Sequence, residues 1–189
     1  MQSNAPLLDR MVRAARLDIM LYEEVEADLA ATSQAATVVG IVAVCSGIGS
    51  GLSQVIAGNG VGGAVGSFVF EIVIAFIGWV AWSYITYWIG TSIFKGTATP
   101  GELLRTLGFA RSPSVLGIVG FIPIVGWLIA AVAGIWSLIA GIIAIRQALD
   151  ITTGQAVITA IIGIIPFLVL YCLAFTLIGG AALLAGAGR

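Results

Sequence analysis

From about residue 34 onward the chain alternates long apolar runs with short polar breaks, and only the first thirty residues carry an amphipathic pattern. Leu7, Leu8, Met11, Val12 and Ala15 fall on one helical face, with Arg10, Arg13 and Arg16 off it. This pattern predicts a helix in the membrane interface with its arginines toward lipid headgroups. Residues 19–29 predict a second short helix, with Ile19, Tyr22, Val25 and Leu29 on one side and acids opposite. The pair either packs under a membrane bundle or offers a docking surface for a partner.

Apolar runs long enough to cross a bilayer follow at 34–54, 68–89, 126–145 and 154–178. The most informative stretch is 99–147. Thr99 with Glu102 three residues on has capping-box spacing, with Pro100 at the first helical position. Ser112 before Pro113 repeats the start signal, and the short amphipathic piece between them carries Glu102, Arg105 and Arg111. No charge then appears until Arg146. Pro123 and Gly126 interrupt the run, so the pattern predicts a polar half-helix, a short apolar segment, a tight turn at FIPIVG and a full span. A single kinked span over 113–145 would measure about 50 Å against a hydrocarbon core of about 30 Å. The turn, and hence five crossings, is the better solution.

Small residues mark the packing surfaces. Gly47 and Gly51 form a GxxxG, Ser46 and Ser50 repeat the spacing, and residues 126–141 carry two further stripes, Gly126, Ala130, Gly134 and Ala133, Ser137, Gly141. The run AGNGVGGAVG at 57–66 is expected to be a loop, and it lacks the preceding strand and following Lys of a phosphate-binding turn. Trp79 and Trp82 are expected in helix contacts, and Tyr84, Tyr87 and Trp88 at the membrane boundary. Thr152 with Gln155 forms a second capping box, Pro166 is expected to kink the last span, and residues 179–189 are expected to fray. Arg146 and Asp150 stand at helix-pair spacing.

Composition removes several function classes. The chain is 60% hydrophobic and only 9% charged, far from the soluble range. Nine of its charges lie within the first 28 residues, too many acids for a signal peptide. The net charge of −1 argues against nucleic acid as a partner. The absence of histidine removes the commonest general base and metal ligand, so no metal, cofactor or catalytic residue is expected. Cys45 and Cys172 sit in apolar runs and read as thiols packed between helices. With the N-terminus cytoplasmic and the C-terminus outside, Arg10, Arg13, Arg16, Lys95, Arg105, Arg111 and Arg146 fall toward the inner face and only Arg189 outside.

Together these patterns predict an all-α polytopic bundle: residues 1–30 as cytoplasmic or interfacial helices and 31–189 as one transmembrane domain in the cell membrane. The candidate intramembrane polar residues are Glu71, Glu102, Arg105, Arg111 and Arg146, with helix breaks at Pro113, Pro123 and Pro166. Arg111 is expected to face the bundle interior, bonded to backbone carbonyls freed near Pro113 or to water rather than to Glu71.

The segments GELLRTLGFARSP and IWSLIAGIIAIRQAL followed by TGQAV, in this order of features, resemble the Yip family, the small membrane proteins named for interacting with Ypt/Rab GTPases, and its prokaryotic branch in particular. The resemblance implies a non-enzymatic membrane protein, with roles in vesicle traffic and membrane shaping in eukaryotic members. Those members carry a long polar N-terminal region where this chain has about thirty residues, so a small GTPase is not expected as a partner. The bilayer, other membrane proteins or a second copy are the expected partners. Two functions follow: a membrane-organising adaptor or scaffold, or a small transporter, channel or lipid-moving protein using the broken third span.

Overall fold

The computed structural model describes residues 6–187; Arg189 lies outside it. Its elements are α1 (Leu7–Ala15), α2 (Ile19–Ala27), α3 (Ala31–Ile56), α4 (Gly60–Phe94), α5 (Pro100–Ala110), a 3-10 helix (Ser112–Phe121), α6 (Val125–Ala148) and α7 (Thr153–Ala187). Every described regular element is helical, as a chain in lipid requires when each backbone group must be satisfied within its own segment. Four helices are long and apolar enough to cross a membrane: α3, α4, α6 and the described part of α7. Between α4 and α6 lie α5 and the 3-10 helix, the latter a shorter apolar helix. The protein is a multi-pass helical membrane protein.

The broken stretch from Thr99 to Gly126 forms as its residues dictate. Thr99 and Glu102 make a reciprocal capping box at the start of α5. Pro113 cannot donate a backbone hydrogen bond, and the helix tightens there into 3-10 geometry. Ser112 does not act as the cap expected of it. Its hydroxyl donates back to the Phe109 carbonyl at 2.7 Å. The FIPIVG turn is a γ-turn: Val125 N–H donates to the Pro123 carbonyl at 2.7 Å across Ile124, whose φ of 64° is strained for a β-branched residue. Thr152 and Gln155 cap α7 as the spacing predicts.

α3 packs against α4, α5 and the 3-10 helix, and α6 against the 3-10 helix, α5 and α7. Glycine makes the tightest approach. A Cβ at Gly49 would stand 2.3 Å from the Gly117 carbonyl oxygen, so α3 and the 3-10 helix meet backbone to backbone. The glycine-rich run is not a loop. Apart from the turn around Gly58 and Asn59 it is the first part of α4, whose helical hydrogen bonding extends back over the glycines despite their low helix propensity. The last helix likewise continues through Pro166 and past residue 178 instead of fraying.

At one end of the bundle the turns around Gly96 and Asp150 meet, where Thr97 donates to Asp150 at 2.9 Å. α1 and α2 lie at this same end and share one continuous core with the bundle through Met11, Ala14, Leu21, Tyr22 and Val25. Two facial assignments change. Arg10 is fully buried while Leu8 and Val12 are exposed, so α1 turns an arginine inward and part of its apolar stripe outward. On α2 it is Leu21, Tyr22 and Val25 that are buried, with Ile19 and Leu29 exposed. Cys172 is exposed, not packed between helices, and Cys45 is half-buried.

Candidate functional site

The polar residues of the sequence separate into a structural set and an unspent set. Glu102 is used as the α5 cap: its carboxylate accepts from Thr99 N–H at 2.8 Å. Arg105 is buried and reaches from α5 to the end of α2, donating Nε–H to the Val25 carbonyl at 3.0 Å and to that of Glu26 at 3.1 Å. These are carbonyls that a helix C-terminus leaves without intrahelical partners. Arg146 is half-buried and forms no ion pair with Asp150, whose backbone has turned to φ 54° and whose carboxylate instead receives Thr97.

Arg10 makes the densest network. Its guanidinium donates to Glu24 at 2.9 Å, Asp28 at 3.0 Å and Gln34 at 2.8 Å, joining α1, the end of α2 and the start of α3. Arg13 continues the network to Asp18 and to the second oxygen of Glu24, each at 2.8 Å. This pairing raises the Arg13 pKa, chiefly through its hydrogen bond to Glu24, and lowers that of Asp18. Sequence reasoning assigned these arginines to lipid headgroups. The signal against that was present: Glu24 and Asp28 stand four apart on a neighbouring short helix, ready to neutralise an inward guanidinium.

Glu26 sits at the same end with one carboxylate oxygen buried and unbonded. Burial, reinforced by Glu23, Glu102 and Asp150 and opposed by Arg105, pushes its pKa up to about 7. Gln147 hydrogen-bonds Glu23 beside it. A further tie, unforeseen from sequence, is Trp136. Its indole N–H donates at 2.7 Å to the carbonyl of Ala15, binding the end of α1 to the flank of α6.

Arg111 and Glu71 form the unspent set. Arg111 follows α5 immediately, and its Nε is buried without a hydrogen-bond partner. It therefore does not find the freed carbonyls expected for it; its own carbonyl accepts from Ser114 N–H. The side chain lines a cleft of about 370 Å³ walled by Trp79, Trp82, Leu138, Ile164 and Phe167, with Ser114 and Ser137 hydrogen-bonded to each other at 2.8 Å. Trp79 donates to the Leu104 carbonyl, and Trp82 meets Phe167 edge-on at 5.3 Å, so the aromatic wall is fixed. Glu71 lines a different cavity of about 390 Å³ with Ser46, Ser50, Ser53 and Gln54. The two charges are in electrostatic range of one another, yet no ion pair joins them.

Pro113 and Pro123 bound the 3-10 helix, and Pro166 lies within α7 between the cleft-lining Ile164 and Phe167. No group of three or more metal-ligating side chains occurs among the described residues. The arrangement can hold an apolar chain and present it with one cation, but it assembles no nucleophile with a base.

Neither a curated protein nor a solved structure matches the chain. Residues 22–185 match the Yip1 domain, from the middle of α2 to the end of α7, and the chain therefore belongs to the Yip family of membrane proteins.

Proposed function

We propose that this is a non-enzymatic, membrane-organising protein whose α1–α2 pair acts as a rigid wedge in one leaflet of the cell membrane. The observation that carries this reading is the Trp136–Ala15 hydrogen bond. Residues 125–136 of α6 measure only about 17 Å, and the ten residues of the adjoining 3-10 helix about 20 Å. By comparison, residues 68–88 of α4 measure about 30 Å, a full hydrocarbon thickness. The polar end of α1 thus stands well up the side of the bundle. A bilayer meeting this flank thins or bends to match it.

The buried Arg10 network keeps the wedge from folding away, and exposed Leu8 and Val12 give it an apolar edge for the acyl boundary. The division into an interfacial pair and a bundle, and the cytoplasmic N-terminus, belong to this proposal. The bilayer is the principal partner; other membrane proteins or a second copy would be gathered by the deformation. The rival reading, a small transporter, channel or lipid-moving protein, rests on the broken third crossing beside Arg111. The cleft at Arg111 and the cavity at Glu71 share no lining residue, which favours the wedge.

Nitroxide labels at Leu8 and Val12 in reconstituted protein are expected to be relaxed by oxygen dissolved in lipid, and a label at Arg16 by water-soluble nickel. Protein-loaded vesicles are expected to be smaller than those carrying a Trp136→Ala, Arg10→Met double variant. Labels at Leu8 and Val12 reached only from water would overturn the reading. Cysteines at Asn59 and Gly96 test orientation: reaction of Asn59 alone with an external impermeant reagent supports a cytoplasmic N-terminus.

A further inference from the structure

The geometry points to the Arg111 cleft as a binding site for a single-chain anionic amphiphile, a carboxylate on one long apolar chain. Four features converge on this occupant. The first is an unmet cation. A guanidinium offers five N–H donors, and here the buried Nε donates to nothing. An oxyanion entering the cleft that Arg111 lines would set a charge-assisted partner against this guanidinium.

The second feature is the shape and lining. The cleft, of about 370 Å³, lies at the lower end of the range of small-molecule sites. That suits one chain and is too small for a whole two-chain phospholipid. Its walls are aromatic and aliphatic apart from Arg111 and the two serines, whose hydroxyls already satisfy each other. A ligand here is therefore apolar along its length and anionic at one point.

The third is the route of entry. Leu138 of α6 and Ile164 of α7 line the cleft and are exposed, so the mouth faces laterally between these two helices, where acyl chains lie. The fourth is the space itself. A Cβ at Gly134 would meet nothing within 4 Å, and one at Gly141 only Leu107, at 4.0 Å. The glycines here keep a volume open, whereas Gly49 closes a contact.

The inference goes beyond the wedge and does not depend on it, since the cleft is walled by α4 to α7 while the wedge acts through α1.

The test is equilibrium binding of radiolabelled palmitate to the full chain in nanodiscs of zwitterionic lipid, with hexadecanol as the uncharged comparison and phosphatidic acid as the two-chain one. Saturable palmitate binding is expected, about tenfold or more tighter than hexadecanol. Arg111→Gln should erase that preference, Arg111→Lys should retain most of it, and Arg146→Gln should leave it unchanged. Gly134→Leu should fill the cleft and abolish binding with the melting temperature held. Should Gly134→Leu unfold, Gly134→Val at the same open position serves instead. Equal affinity for acid and alcohol, indifference to Arg111→Gln, or Arg111-dependent binding of phosphatidic acid but not palmitate would each overturn the assignment.

Discussion

Two arginines a hundred residues apart face opposite situations in the same molecule. Arg10 is fully buried and held by Glu24, Asp28 and Gln34 from two other elements. Arg111 is half-buried among tryptophan, leucine and isoleucine with its Nε unbonded. A buried charge carries a desolvation cost that only good geometry and further hydrogen bonds offset. Where they are present, as at Arg10, the side chain fixes architecture. Where they are missing, as at Arg111, the cost stands until something else binds. Glycines repeat the contrast: Gly49 brings two backbones together, while Gly134 faces open space.

The comparison is broken most sharply by removing Arg10. Arg10→Met leaves Glu24 and Asp28 without their partner, and should cost about 3–5 kcal/mol of stability, the usual effect of deleting one side of a buried pair. Calorimetry in mild detergent measures it, and an unchanged melting temperature would make Arg10 ornamental. Next comes Gly49→Ala, whose methyl would press on the Gly117 carbonyl. A loss of about 1–3 kcal/mol is expected, as for overpacking elsewhere.

The open side should respond in the opposite direction. Gly134→Ala is expected to stabilise by up to about 1 kcal/mol through helix propensity. Arg111→Met should be neutral or mildly stabilising in ligand-free detergent, since it removes an unpaired charge. A loss comparable to that of Arg10→Met would show that Arg111 has a partner and would erase the contrast.

The smallest effect is a pH dependence at Glu26. Its carboxyl is raised to about 7 by burial and by its acidic neighbours, from an ordinary value of 4.5. Its favourable contribution is thus complete below about pH 4.5 and is lost as pH rises through 7. Glu26→Gln should match the parent at pH 4 and melt slightly higher at pH 8. A higher melting temperature at both values would point to packing instead of charge.

Much of this architecture was legible in the chain. The Thr99–Glu102 and Thr152–Gln155 caps, the break at Pro113 and the turn at FIPIVG follow from backbone rules that act within a few residues. The run of residues 57–66 was misread because glycine's low helix propensity is a weak prior, overridden here where the start of α4 packs on α3 at Gly51 and Ala64. Arg10 was misread because an amphipathic pattern states how far apart polar and apolar residues lie around a helix, and not which face meets the protein.

The sequence by itself determined that the chain is a helical membrane protein, that α5 and α7 start at their capping boxes, and that the stretch 99–126 is broken at Pro113 and at FIPIVG. Those properties depend on local hydrogen bonding and on the cost of placing charge in hydrocarbon. Only the tertiary structure decided which arginine is satisfied, that Trp136 fastens α1 high on α6, and that Arg111 and Glu71 open into separate cavities. Each of these depends on residues far apart in the chain meeting within a few ångströms, and spacing along one helix carries no information about what the next helix brings to it.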